Sequence, residues 1–205
     1  MPHFVFLEFL DSRVEQTLRE LRDSLQPWKK SASPVHVTVR GPYKTEPDID
    51  LIRELGQNIR GRGVRIMGAG YFEYNGKFSV FLRAESSVFK DIWWKPDFPS
   101  RSDESQPHLT MFESTDRHSA LIALNFLRAA RISILTYSVQ LSIYTTGQGD
   151  LFGTRAVEPI PPNSGVKRDI VAIDDEVLPA AKEIGARLAL RREKIENSGT
   201  DSGKA

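Results

Sequence analysis

Residues 33–43 read SPVHVTVRGPY. Val35, Val37 and Val39 alternate with His36, Thr38 and Arg40, the period of a β-strand whose successive side chains point to opposite faces. The valines are expected in a core, with His36, Thr38 and Arg40 together on the other face. The chain has only four histidines, and one set beside a hydroxyl and a guanidinium asks for a chemical reason.

The pattern returns at residues 106–112, QPHLTMF. His108 and Thr110 repeat His36 and Thr38, Leu109 and Met111 take the core-facing role of the valines, and a proline again lies just upstream. The i, i+2 spacing puts His and Thr on one strand face in both copies. Threonine is common in strands, so a single His-x-Thr says little; the repetition carries the signal. His3 and His118 have no such company.

Around these stretches, HFVFLEFL reads as a buried strand, and DSRVEQTLRELRDSLQPW as a helix with Val14, Leu18, Leu21 and Leu25 at helical spacing. Asp11 and Ser12 are its candidate caps, and it stops before Pro27. EPDIDLIRELGQNIRGRG is a second helix, and RGRG at residues 60–63 is its end and turn. VRIMGAGYFEYN and KFSVFLRAES are strands joined at Asn75-Gly76, a favoured hairpin turn. A short helix in SSVFKDIWWKPDF, the loop PSRSDES and the second His-x-Thr strand follow, then the helix DRHSALIALNFLRAAR. ISILTYSVQLSIYTT reads as one long strand with Leu135, Tyr137, Val139, Leu141 and Ile143 on one face; GQGDLFGTRAVEPI is a turn and an edge strand. Hairpin-linked strands interleaved with helices favour an α+β fold with antiparallel sheets.

Residues 1–160 thus form one domain. Residues 161–205 add a linker (PIPPNSG runs into them), an amphipathic helix through Val177, Ala181, Ile184 and Leu188, and a tail, SGTDSGKA, expected to be disordered. The helix is expected to dock on its own domain; a dimer contact is the alternative to a monomer.

Composition sets limits. At 205 residues the chain is long enough to need neither metal nor disulfide for stability. A formal net charge of +1 argues against coating long nucleic acid, whose affinity rests on many neutralised phosphates, but leaves a nucleotide or RNA end open. The absence of cysteine removes thiol and Cys-based metal chemistry. MPHFVFLEFLDSR has no basic leader, and Glu8 breaks its apolar run, so neither a signal peptide nor a membrane span is expected and the protein is read as cytoplasmic.

Two imidazoles with pKa near 6.5 can serve as general base and general acid in one reaction. Two threonine hydroxyls can hold the oxygens of an anion between them. A phosphodiester suits this set: one histidine activates the attacking oxygen, the other protonates the leaving alkoxide. A catalytic zinc site wants three protein ligands, and neither strand supplies an adjacent acid, so no metal and no cofactor are expected.

HVTV and HLTM resemble the paired signature motifs of the 2H phosphoesterase superfamily, which includes RNA 2'-5' ligase-like proteins and cyclic nucleotide phosphodiesterases; the resemblance spans roughly residues 3–155. It implies a bilobal fold of two antiparallel sheets, pseudo-twofold around a central cleft, with helices outside. It makes His36 and His108 the catalytic pair, His36 as base and His108 as acid in hydrolysis, and makes Thr38 and Thr110 the phosphate-binding hydroxyls. The implied activity is metal-independent opening of a 2',3'-cyclic or 1'',2''-cyclic phosphate, or of a 2'-5' linkage, on a nucleotide or RNA end, with reversible 2'-5' ligation in some members. Alternatives are a non-catalytic nucleotide- or RNA-binding module and a nuclease acting on cyclic oligonucleotide signals. The chain departs from the better-known ligase-like members in RGPY after the first motif and in the extension past residue 160.

Arg40 is a substrate-binding candidate because it shares the parity of His36 and Thr38, and Tyr144 because it ends the polar face of the last long strand, where it could stack on a nucleobase. Tyr43 and Lys44 sit where loops rim a cleft, and Trp93-Trp94 is read mainly as core packing.

Overall fold

A computed structural model describes residues 1–29, 33–93, 96–98, 106–146, 151–156 and 168–200. The elements run β1 (His3–Phe9), α1 (Ser12–Leu25), β2 (His36–Tyr43), α2 (Ile49–Ile59), β3 (Val64–Tyr74), β4 (Lys77–Glu85), α3 (Val88–Ile92), β5 (His108–Ser114), α4 (Arg117–Ala129), β6 (Ser133–Thr136), β7 (Val139–Thr146), β8 (Leu151–Ala156), β9 (Ile170–Ala172) and α5 (Val177–Thr200). Local chemistry accounts for most of them. The Asp11 carboxylate accepts from the Arg13 and Val14 amides and starts α1, whose Val14, Leu18, Leu21 and Leu25 are fully buried; burying such a side chain is worth about 1.5–3 kcal/mol. Asn75 and Gly76 take φ of 51° and 71°, the left-handed pair that closes the β3–β4 hairpin.

The fold is α+β with two antiparallel sheets, ordered β2-β1-β7-β8 and β5-β4-β3-β6-β9. β2 and β5, which carry the two His-x-Thr stretches, end their respective sheets and lie beside each other, so the sheets meet along a seam between the motif strands. Val5, Leu7, Val37 and Val39 from one sheet and Val80, Leu82, Leu109 and Met111 from the other belong to a shared hydrophobic core. α4 packs on β3, β4 and β5, and α1 lies against α5 and β5.

The run 133–146 is two strands, not the single strand its alternation suggests. β6 pairs with β3 in the five-stranded sheet and β7 with β1 in the four-stranded one, so the chain changes sheets at Tyr137–Ser138. Asp169 takes up the groups freed there: its carboxylate accepts from Thr136 Oγ1 at 2.6 Å and from the Tyr137 amide at 2.8 Å.

Asp169 leads into β9, a strand the sequence does not announce, which pairs with β6. α5 then docks on α1 and α4, burying Val177, Ala181 and Leu188. The approach is close enough that a Cβ on Gly185 would come within 1.8 Å of the Ser24 carbonyl oxygen. α5 runs to Thr200, into the tail expected to be disordered; the proline-rich linker and residues 201–205 lie outside the described residues. Among the described residues no helix is long and apolar enough to cross a membrane.

Candidate functional site

The two motif strands are built alike. From the histidine onward each runs half-buried, buried, exposed, buried, buried. In β2 the third residue is Thr38, paired with Phe6 of β1; in β5 it is Thr110, paired with Phe81 of β4. Immediately after the threonine each ladder slips: Val5 pairs with Arg40 instead of Val39, and Val80 with Phe112 instead of Met111. Each slip is a β-bulge, two residues opposing one.

The bulge corrects the expectation for Arg40. Directly opposed residues share a sheet face, so Arg40 falls on the face of Val5, not on that of His36 and Thr38. It is 2% exposed, donates from Nε to Tyr43 Oη at 2.7 Å and from its other nitrogens to the Ile92 carbonyl and the Asp97 carboxylate, and lies over the Phe98 ring. Tyr43 also donates to Asp97 at 2.8 Å. Burial, countered only in part by Arg40, pushes the Tyr43 hydroxyl up to about 12. Arg40 and Tyr43 therefore brace β2 against the segment after α3, while Lys44 is exposed. Trp93 packs edge-on against Phe98 as a core residue; Trp94 lies outside the described residues.

The histidines are held by one device used twice. His36 Nδ1 meets the Pro34 carbonyl oxygen at 2.9 Å, and His108 Nδ1 meets that of Gln106 at 2.7 Å, each two residues upstream. A carbonyl only accepts, so Nδ1 carries the proton and Nε2 keeps its lone pair. Each ring also rests on the aromatic paired with its threonine. His36 stacks on Phe6 with centroids 3.6 Å apart, and His108 packs on Phe81 at 4.8 Å. Phe81 lies across Gly70, where a Cβ would come within 2.6 Å of the ring. Phe72 adds a second wall to His108 at 5.4 Å.

Burial pushes both imidazoles below their ordinary value. For His36 the Pro34 carbonyl and Glu8 pull the other way, while Arg22 and the charge of His108 push it further down. For His108 the Gln106 carbonyl opposes the burial. Both rings are therefore neutral near pH 7, and an anion between them would favour return of a proton to one.

Glu8 is a site residue that sequence reasoning missed. It is 7% exposed, directly opposite His36 in the ladder, and accepts from Gln140 Nε2 at 3.0 Å and from the Ser142 and Tyr144 hydroxyls. Its parity with Phe4 and Phe6 in HFVFLEF was the available signal. Tyr144 lies on the expected face, but its ring is 4% exposed and packed on Phe6 at 4.5 Å. It supports the His36–Phe6 stack and does not offer its face to a nucleobase.

A cavity of about 190 Å³ at the seam is lined by His36 of β2 and by Thr110 and Glu113 of β5, together with Arg22, Gln26, Lys29 and Ser33. It brings the two motifs together. Arg22 donates from Nη1 to the Ser33 carbonyl at 3.2 Å, while its Nη2 is buried with no hydrogen-bond partner. Glu113 is raised by burial, but Lys29 at 2.6 Å and Lys77 at 3.6 Å outweigh that and hold its carboxyl below the usual range. Thr38 and His108 share the faces of these groups by register, outside that lining. Arg83, exposed and opposite His108, is a second cation that the motif reading did not single out. Among the described residues no three His, Asp or Glu side chains are grouped to hold a metal ion.

The arrangement sets the His36 imidazole, the Thr110 hydroxyl and the Arg22 side chain on a small polar cavity, with His108 and Thr38 on the same strand faces outside its lining. Such a set can move two protons around an anionic group. Set beside models of known protein families, the chain matches none, and no curated protein matches it either.

Proposed function

We propose that the protein is a metal-independent phosphoesterase that opens a cyclic phosphate, or cleaves a 2'-5' phosphodiester, of a nucleotide or RNA end by two-histidine acid/base catalysis. The observation that carries this is the doubled histidine mount. Two His-x-Thr strands share one tether, one aromatic bed and one bulge, they sit at facing sheet edges, and His36 and Thr110 line one cavity. The repetition is what a pseudo-twofold axis between the sheets would produce, and we read the molecule as bilobal in that sense, in keeping with the resemblance to 2H phosphoesterases.

In hydrolysis of a 2',3'-cyclic phosphate, His36 Nε2 takes a proton from water as its oxygen attacks phosphorus. His108, protonated at Nε2, gives its proton to the 3' oxygen as the P–O3' bond breaks. The product is a 2'-phosphomonoester, and the proton now on His36 returns to His108 through solvent. Thr38 and Thr110 donate to the non-bridging oxygens, and the Arg22 side chain, which lines the cavity with Thr110, adds positive charge. Each proton transfer contributes about 10²–10⁴ in rate.

The test is a ³¹P NMR assay in EDTA with 2',3'-cyclic nucleotides, ADP-ribose 1'',2''-cyclic phosphate, 2'-5' oligoadenylate and a cyclic oligonucleotide. Turnover of at least one is expected, falling about 100-fold or more in His36→Ala and in His108→Ala. Wild-type rates in either variant would overturn the mechanism. Binding of nucleotides without turnover would make the protein a binding module.

A further inference from the structure

A second compartment of about 410 Å³ adjoins the cavity that holds His36 and Thr110. Gln26, Lys29 and Glu113 line both, so the two spaces share a wall. Beyond that wall lies Trp28, half-buried, with its ring edge-on to Phe112 at 6.1 Å. α5 forms the far side through Leu188, Arg192 and Ile195, and the Arg192 guanidinium lies 5.7 Å from the centre of the Trp28 ring. The compartment thus depends on the C-terminal helix, the part of the chain that the 2H resemblance leaves unexplained.

We infer that this compartment binds a nucleoside of the substrate, so that the preferred substrate is a phosphodiester joining two nucleosides and not a cyclic mononucleotide. The inference rests on the phosphoesterase reading for the position of the phosphate. The cavity at His36 and Thr110 suits a phosphate and leaves no room for two nucleosides beside it. The adjoining space has the size of a small-ligand pocket, and it sets Trp28, Phe112, Leu188 and Ile195 among charged and polar side chains.

Trp28 supplies a stacking platform; Lys29 lies on the wall shared with the phosphate cavity, and Lys77 lines the same compartment as Trp28. The Arg192 side chain is 47% exposed and, besides the Trp28 ring, pairs with Glu196 one turn away at 2.7 Å. It can lift from the ring and lie over a base stacked there, since guanidinium and indole both stack on nucleobases.

The experiment measures binding by calorimetry on His108→Ala protein, whose turnover is expected to be about 100-fold slower or more, with adenylyl-(2'→5')-adenosine and adenosine 2',3'-cyclic phosphate as probes. Adding Trp28→Ala is expected to weaken the dinucleotide about 5- to 150-fold, the usual cost of losing one base–aromatic stack, and the cyclic mononucleotide by much less. Arg192→Ala, a surface change that leaves the core intact, is expected to weaken the dinucleotide about two- to fivefold. Equal losses for both probes, no loss, or failure of the dinucleotide to bind would overturn the inference. Wild-type protein is assayed for turnover in parallel. Trp28-dependent binding without hydrolysis upholds the compartment and removes the phosphoesterase reading; hydrolysis of the cyclic mononucleotide without dinucleotide binding does the reverse.

Discussion

Arg40→Met separates the two roles that Arg40 could have had. Methionine keeps much of the apolar stem and removes the charge. The Ile92 carbonyl then loses a donor in a buried setting, which costs about 1–3 kcal/mol. Tyr43 keeps its bond to Asp97 at 2.8 Å. The Asp97 side chain is 42% exposed, so water replaces the guanidinium there and the ion pair itself counts for little. The net loss is about 2 kcal/mol, a fall in Tm of about 4–8 °C for a chain of this size. Asp97→Ala is expected to cost more, because it leaves a guanidinium that is 2% exposed with only neutral acceptors. Calorimetric melting gives the stabilities, and phosphodiester turnover well below the transition gives kcat/KM. The expected result for Arg40→Met is the lower Tm with kcat/KM within about threefold of wild type. An unchanged Tm with a tenfold lower kcat/KM would return Arg40 to the substrate and refute the bulge argument.

Below about pH 6.5 the unfolded chain takes up protons that the buried imidazoles resist, because folding lowers both values. Stability should therefore fall as pH drops from 6.5 toward the folded values, by up to about 1.4 kcal/mol per unit for each ring. Urea midpoints at several pH values should show this slope flattened in a His36→Gln/His108→Gln double variant, and an equal slope in both would refute it. Gly185→Ala places a methyl on the Ser24 backbone oxygen; α5 must shift, at about 1–3 kcal/mol, and an unchanged Tm would mean that α5 does not pack as described. Gly70→Ala pushes the Phe81 ring from its seat under His108, so kcat should fall up to about a hundredfold with a smaller relative effect on KM; full activity would show that the Phe81 bed is dispensable.

The parts of the fold written in short-range pattern were legible. The valines of β2, the apolar stripe of α1 and the Asn75-Gly76 turn follow from periodicity and φ preference alone, and the parity of His36 with Thr38 was readable two residues at a time. What escaped is non-local. A bulge leaves no mark in an alternating sequence, since Val39 and Arg40 read like any other pair. The break at Tyr137–Ser138 is invisible because both halves alternate, and the group that stabilises it, Asp169, lies 32 residues from the Tyr137 amide it accepts. Glu8 and Arg22 join the site through sheet order and helix docking, which no local window contains.

The slip after each threonine works like a frameshift in a two-beat rhythm. Up to Thr38 and Thr110 the beat sets histidine and threonine on one face; one extra residue resets it, and the next paired residues, Arg40 and Phe112, are buried. The two halves of one strand can therefore drift under separate constraints, the first answering to the candidate site and the second to the core. It also means that the placement of the extra residue decides which face the guanidinium takes: with Val39 unpaired, Arg40 stands opposite Val5 and faces the core. In this strand, length is as much a determinant of the site as residue identity.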